Sequence, residues 1–175
     1  MFTNLKRTTR DSKLIWLQYR INHNILSTNR SVSKFNNEQN HLCQFCSLHS
    51  ETIHHLLWKC HKVQQFWQQL CFLINKRCSN AHRFKFEEKY ILFGLGEKIY
   101  TDKICDFITL NAKFYIYKCK VQHIDLNIDT FMTNIYYRYQ IEKFNNHNSV
   151  TFRNSWGPYL NLFKSLQTPE NVQYF

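Results

Sequence analysis

Four side chains able to ligate a metal ion lie close together in the sequence. Cys43 and Cys46 form a Cys-x2-Cys pair, whose turn lets two thiolates reach one ion while backbone amides support the sulfurs. His55 and Cys60 follow and complete a Cys-x2-Cys-x8-His-x4-Cys spacing with three sulfurs and one nitrogen. Because four protein ligands leave no open coordination position, this spacing predicts a structural zinc site.

Spacing alone does not identify the nitrogen ligand. Three other histidines compete with His55 for the position, namely His49, His54 and His61. His49 is too close to the cysteine pair for an ordinary loop. Spacing alone leaves His54 open as an alternative to His55.

The spacing also constrains the backbone between His55 and Cys60. A regular helix advances ~100° per residue, so it would place Cys60 on the face of Ile53 while His55 pointed nearly away from both. An unbroken helix therefore cannot present His55 and Cys60 to one ion. We expect the helix to end or bend near Trp58 and Lys59, so that Cys60 turns back to the metal.

The elements that must position these ligands are predicted to be helices. Only 3 glycines and 2 prolines occur in 175 residues, which disfavours a turn-rich β fold. Apolar residues recur at helical spacing in several segments. The clearest are Leu14, Leu17, Ile21 and Ile25 with Trp16 and Tyr19 beside them, the stripe from Ile104 to Cys119 that Asp102 could cap, and Phe131, Ile135, Tyr136 and Tyr139.

The predicted fold is mainly α, a small helical domain with a Cys-Cys-His-Cys zinc knuckle. We divide the chain into an N-terminal helix and loop (1–42), the knuckle and its following helix (43–76), a helical region (77–145) and a C-terminal tail with a short amphipathic piece (146–175). The apolar burst ILFGLG, closed by Gly94 and Gly96, fits either a strand or a helical turn.

Composition narrows the classes of partner and compartment. Lys and Arg number 23 against 12 Asp and Glu, and a formal net charge of +11 favours polyanions as partners, of which nucleic acid is the first candidate.

Seven cysteines without a secretory signal indicate reduced thiols inside the cell, in the nucleus or cytoplasm, and no apolar run could span a membrane. Cys71, Cys105 and Cys119 fit core positions, whereas Cys78 with His82 is a weak candidate for a second metal site.

Basic and aromatic residues alternate in KFYIYKCK, as nucleic-acid binding requires, since cations neutralise phosphates and planar side chains stack on bases. Further lysines flank the last metal ligand. Aromatic residues on helical stripes more often belong to the core, so we expect only some of them to be available. The predicted nucleic-acid contacts are Lys59, Lys62, Lys113, Tyr117, Lys118, Lys120 and Arg138.

The segment CQFCSLHSETIHHLLWKCHKVQQFW resembles the zinc-binding segment that follows the reverse transcriptase in LINE-type (non-LTR) retrotransposon proteins. The resemblance includes the ligands, the pair Glu51 and Thr52, and Trp67. In that family the histidine stands three places after the threonine, which implies His55 as the ligand. WLQYRINHNILSTN, ILFGL, LNAKFYIYKCK and FRNSWGPYLNLF are similar to successive landmarks of the same C-terminal region, so the resemblance covers nearly the whole chain.

This resemblance implies a non-catalytic accessory segment that binds element RNA or target DNA and supports target-primed reverse transcription beside a reverse transcriptase domain. The chain has no Asp-Asp pair for two-metal polymerisation, and Glu87 with Glu88, or Asp125 with Asp129, fit solvated helix ends better than a nuclease. Two alternatives stay open. One is a zinc-stapled helical scaffold that packs on a polymerase, and the other is a truncated remnant without activity.

Overall fold

The computed structural model describes residues 9–36, 40–78, 85–93, 103–146 and 148–166. These residues are mostly helical and include no strand, only an isolated antiparallel bridge between Leu42 and Ser50. The predicted mainly α fold is confirmed. No helix in the described ranges has the length and apolar character needed to cross a bilayer. Gly94, Gly96, Asp102 and His82, which the sequence interpretation used, lie outside the described residues.

The longer helices coincide with the segments in which apolar residues repeat at helical spacing. In chain order they are α1 Ser12–Asn22, α2 Asn29–Ser33, a π-helical turn His55–Lys59, α3 His61–Arg77, α4 Glu88–Phe93, α5 Lys103–Gln122, α6 Ile128–Asn145, α7 Val150–Trp156 and a 3-10 helix Gly157–Leu166. Of the two options for the apolar burst before Gly94, the structure takes the helical one, as α4.

The chain divides into two compact units. The first contains Met1–Gln68 and Phe86–Leu126, and the second contains Gln69–Lys85 and Asn127–Phe175. The first unit carries the predicted metal ligands. In it α1 packs on α4 and α5, and the π-helical turn also packs on α4 and α5.

Helix α1 begins because Asp11 caps it, with its Oδ1 accepting the backbone N–H of Lys13 at 2.9 Å. Leu14, Leu17 and Ile21 are buried at 0–4% exposure, as their spacing predicts. Trp16 and Ile25 were expected to extend this stripe, and both predictions are wrong. Ile25 lies beyond the end of α1 and is 60% exposed, and Trp16 is 58% exposed.

Helix α5 is buried on almost every side over its first half. The apolar residues of the predicted stripe are buried, namely Ile104, Phe107, Ile108, Ala112, Tyr115 and Cys119. Several residues on the opposite face are buried too, because α1, α4 and the π-helical turn contact the helix. A helix enclosed in this way shows little amphipathic contrast. Its buried polar residues are hydrogen-bonded, with Thr109 and Asn111 each donating to the carbonyl four residues earlier in the chain.

The second unit has an aromatic core. Tyr139 and Phe163 stack with ring centroids 5.2 Å apart, and Trp156 lies 5.0 Å from Tyr139. The indole N–H of Trp156 donates to Glu142 Oε2 at 3.2 Å. The segment expected to be a tail therefore contributes core residues through α7 and the 3-10 helix, which continues from Gly157 where α7 ends.

Candidate metal centre

Cys43 and Cys46 lie on a tight loop whose ends pair across the bridge between Leu42 and Ser50. The Cys43 N–H donates to the His49 carbonyl at 2.8 Å, and the Ser47 N–H donates to the Cys43 carbonyl at 2.9 Å. The left-handed conformation of Ser47 (φ 53°) lets the chain reverse within these few residues. The loop thus holds both thiols on one side, as the Cys-x2-Cys spacing predicts.

His55 begins the π-helical turn, and Cys60 follows the end of that turn. Thr52 Oγ1 accepts the His55 N–H at 2.9 Å. The Cys60 N–H donates to the His55 carbonyl at 2.9 Å, an i to i+5 bond that winds the backbone more widely than an α-helix. Cys60 itself is extended (φ −63°, ψ 127°). The predicted bend near Lys59 is confirmed, and it brings His55 and Cys60 to the same point.

The four ligand atoms form one cluster in which all lie within 4.8 Å of one another. Cys43 Sγ is 3.8 Å from Cys60 Sγ, and Cys46 Sγ is 3.3 Å from His55 Nε2. A tetrahedral zinc ion with Zn–S bonds of ~2.3 Å and Zn–N bonds of ~2.05 Å requires separations of about 3.8 Å and about 3.6 Å for such pairs. The donor set and spacing therefore fit zinc.

Backbone amides support the two buried sulfurs. The N–H groups of Lys62 and Val63, at the N-terminus of α3, favour the thiolate form of Cys60, and those of Phe45 and Cys46 favour the thiolate form of Cys43. Positive charge at a helix N-terminus favours a thiolate. The surroundings of Cys60 therefore stabilise its thiolate form.

The pKa values of the Cys43 and Cys60 thiols shift in opposite directions. The hydrogen bond between them raises the pKa of the Cys43 thiol, with burial adding to the effect, and the same bond lowers the pKa of Cys60. In the metal-free protein, Cys43 as thiol and Cys60 as thiolate thus share one proton. A metal ion that binds both sulfurs takes the place of this proton. Burial, followed by the charge of His49, lowers the pKa of His55 and keeps its imidazole neutral, as a metal ligand must be.

The rival histidines have other positions. His54 Nε2 lies 2.6 Å from Oε1 of Glu88, the first residue of α4. His49 and His61 are exposed, and the ring of His49 packs beside that of His55 with centroids 5.5 Å apart. The structure brings His55 to the sulfurs, so the alternative ligand His54 is not supported.

Glu51 is a buried carboxylate that ties the loop to the rest of the first unit. Its side chain is 0% exposed. Oε2 accepts the Gln44 N–H at 2.9 Å, Oε1 accepts the Asn29 N–H at 2.8 Å, and Lys120 Nζ lies 3.4 Å from Oε1. One side chain thus joins the cysteine loop, α2 and α5.

Sequence reasoning missed this role and noted Glu51 as one of a pair with Thr52 in the family resemblance. Two of the three partners of Glu51 come from segments 22 residues earlier and 69 residues later, so no local pattern marks them. The one available signal is that a glutamate occurs between cysteine and histidine ligands in an otherwise acid-poor segment.

The predicted nucleic-acid contacts differ in accessibility. Lys59, Lys62 and Lys118 are exposed, and Tyr117 and Arg138 are half-buried, with Arg138 in the second unit. Lys120 has a side chain only 11% exposed and is paired with Glu51. Lys59 and Lys62 lie on either side of the buried ligand Cys60, where a bound metal would fix them.

Lys113 does not reach the surface. It is 3% exposed, and its Nζ donates to Gln18 Oε1 inside the first unit. Burial lowers the pKa of Lys113 to about 7, although the charge of Asp106 opposes this. The prediction that Lys113 contacts phosphates is therefore wrong, because the neighbours of α5 also cover the face that carries it.

The remaining cysteines differ in burial. Cys105 and Cys119 are buried, while Cys71 and Cys78 are half-buried. Asn75 donates to Cys71 Sγ across one turn of α3. The predicted core positions are thus confirmed for Cys105 and Cys119 only.

Residues 4–67 match the family model described as zinc-binding in reverse transcriptase. The matched range contains all four ligands of the cluster and ends at Trp67. It covers less than half of the chain. No curated protein and no solved structure matches the chain. The match supports a reverse transcriptase-associated zinc-binding domain in these residues.

Proposed function

We propose that this chain binds one zinc ion through Cys43, Cys46, His55 and Cys60, and uses the stabilised surface to bind RNA or DNA for a reverse transcriptase. The observation that carries the proposal is the position of the exposed Lys59 and Lys62 around the buried ligand Cys60. The metal would hold the π-helical turn and the start of α3, and with them both cations.

Zinc has a structural role in this proposal. One ion bound by four side chains would cross-link the cysteine loop, the π-helical turn and the start of α3, and nearby backbone amides would support the sulfurs. The reaction belongs to the neighbouring reverse transcriptase domain, which is the protein partner we propose, inside the cell and in a LINE-type element. The accessory segment would position RNA or target DNA for target-primed reverse transcription.

The net charge of +11 supports a nucleic-acid partner, because each phosphate neutralised releases counterions and makes binding depend on salt. A salt series tests this directly. We expect the affinity of the zinc-loaded chain for single-stranded RNA or duplex DNA to fall steeply with salt. The Lys59→Ala, Lys62→Ala double variant should reduce the magnitude of the log–log slope by about 1.4 to 1.8, the effect of two lost phosphate contacts.

A matched control removes the same charge elsewhere. Lys143 and Lys164 are exposed lysines in the second unit, and their double alanine variant should change the slope less than half as much. Binding that is absent, or that does not change with salt, would refute the proposed function. Equal effects of the two double variants would refute the role assigned to the zinc segment.

A second candidate function is a scaffold that packs on the polymerase. The observation that favours it is an exposed apolar stripe on α6, formed by Tyr137 (62% exposed), Ile141 (62%) and Phe144 (83%). Their spacing places them on one helical face, as a protein-binding surface requires. Rescue of poor solubility by the adjoining polymerase domain, without nucleic-acid binding, would support this function instead.

A further inference from the structure

Helices α1 and α5 form a groove of about 410 Å³ in the first unit. Its lining consists of Ser12, Lys13, Trp16, Leu17, Arg20, Phe114 and Tyr117. A volume of this size lies within the range of small-molecule sites in proteins. The groove shares only Tyr117 with the predicted nucleic-acid contacts.

Trp16 is the unusual member of the lining. Its side chain is 58% exposed, whereas Trp67 and Trp156 are each 2% exposed. Tyr19 packs edge-on against Trp16 at 5.4 Å between centroids and so restricts the indole without covering it. An exposed but laterally supported indole offers a flat face on which a planar ligand can stack.

The other two aromatic side chains of the groove are partly covered. Tyr117 is half-buried. Phe114 is also half-buried. Three aromatic rings therefore line one recess, and at least one of them is open to a ligand.

Two exposed cations, Lys13 and Arg20, complete the lining, which contains no acidic side chain. The acid nearest in sequence is Asp11, whose Oδ1 is directed to the Lys13 N–H at the start of α1. Aromatic rings with flanking cations are complementary to a base and its phosphate. An apolar protein segment would leave Lys13 and Arg20 without a partner. An acidic peptide would pair with these cations but would not use the aromatic rings.

We infer that this groove is a binding site for an unpaired nucleotide of a single-stranded nucleic acid, with the base stacked on Trp16 and phosphate paired with Arg20 and Lys13. The inference rests on the proposed function and deepens it, because it names the form of nucleic acid. Duplexes keep their bases stacked internally, so the groove selects single strands.

The test measures the binding of the zinc-loaded full chain to three fluorescently labelled probes: a short oligouridylate, an oligothymidylate of equal length, and a mixed-sequence DNA duplex. Trp16→Ala should weaken single-strand binding by about 5- to 150-fold, the effect of one lost base stack. Duplex affinity should stay within about twofold. Trp16→Phe should recover most of the single-strand affinity, because a ring remains.

Arg20→Ala should lower the single-strand salt slope by about 0.7, the share of one phosphate. The matched control is Phe72→Ala, since Phe72 is an equally exposed aromatic (61%) with a cation, Lys76 Nζ, 5.4 Å from its ring. It should leave single-strand affinity within about twofold. Thermal melting of each variant checks that the fold is unchanged.

The outcomes separate the two proposals. Native binding to single strands with no loss in Trp16→Ala, or an equal loss on the duplex, overturns the groove while leaving the proposed function intact. Failure of the native chain to bind any probe overturns both. A loss on RNA and DNA alike supports a site that reads base and phosphate, and a loss on RNA alone supports one that also contacts the ribose hydroxyl.

Discussion

The replacement Glu51→Gln should weaken both the fold and the metal site. Glu51 is 0% exposed and accepts two backbone N–H bonds, from Gln44 at 2.9 Å and Asn29 at 2.8 Å, while Lys120 lies 3.4 Å from its Oε1. An amide keeps one acceptor oxygen but turns an NH2 group towards the second N–H. The variant therefore loses one bond, creates a donor facing a donor, and leaves the largely buried Lys120 without its charge partner.

The magnitude follows from these losses. A hydrogen bond to a charged group contributes ~1.5 to 3 kcal/mol, and a buried donor left unsatisfied costs ~1 to 3 kcal/mol. We discount the sum for relaxation and expect the free energy of unfolding to fall by about 3 kcal/mol. Because Gln44 lies between the two loop cysteines, zinc affinity should also fall by about 10- to 100-fold, as for other groups that orient metal ligands.

Urea unfolding of the zinc-loaded protein measures the first effect, and competition with a chromogenic chelator measures the second. Glu87→Gln is the matched control, since Glu87 is an exposed glutamate in the same unit, and it should change stability by less than about 0.5 kcal/mol. If Glu51→Gln and Glu87→Gln have the same stability and zinc affinity, the role assigned to Glu51 is refuted.

Three further predictions concern other buried groups. Trp67→Phe removes the indole N–H that donates to the Leu57 carbonyl at 2.9 Å in the π-helical turn, and should lower the free energy of unfolding in urea by about 1 to 3 kcal/mol. Burial lowers the pKa of Lys113 to about 7 from an ordinary value of 10.5, so between these values the unfolded chain holds a proton that the folded chain has lost. The free energy of unfolding should therefore rise with pH between these two values, and Lys113 should contribute at most about 1.4 kcal/mol per pH unit. Lys113→Met should remove this contribution, as measured by urea unfolding at a series of pH values. His55 has its pKa lowered by burial, so protonation below its ordinary value of 6.5 should release the metal and unfold the site together, as followed by chelator absorbance and circular dichroism.

Each of these has its own contradicting result. A Trp67→Phe variant no less stable than Trp58→Phe would show that the indole bond contributes nothing. Parallel pH profiles for the native chain and Lys113→Met would mean that Lys113 stays charged in the folded protein. Metal retention well below the ordinary pKa of histidine, equal in the native chain and in His55→Ala, would remove His55 from the ligand set.

Local patterns predicted much of the fold and most of the metal site. The longer helices were predictable because apolar spacing repeats along them, and the ligands because cysteine and histidine spacing is itself local. The bend before Cys60 was predictable from one geometric fact, that an unbroken helix separates His55 from Cys60. The structure meets this requirement with a π-helical turn, which spacing alone does not specify.

Side chains whose surroundings come from distant segments were not predictable in the same way. Lys113 and Trp16 both lie on helices that were correctly expected, yet one is buried and the other exposed. Whether a second helical face is covered depends on which elements pack on it, and those that pack on α5 include α1 and the π-helical turn, which lie far from it along the chain. The role of Glu51 was missed for the same reason.

The most direct test of the central claim is the metal content of three proteins: the native chain, His55→Ala and His54→Ala. The two variants lose adjacent histidines, but only His55 lies 3.3 Å from Cys46 Sγ, whereas His54 pairs with Glu88. We predict one equivalent of zinc, and a tetrahedral thiolate spectrum after cobalt substitution, for the native chain and His54→Ala, with both reduced or lost in His55→Ala. An unchanged metal content and spectrum in His55→Ala, or their loss in His54→Ala alone, would contradict the assignment.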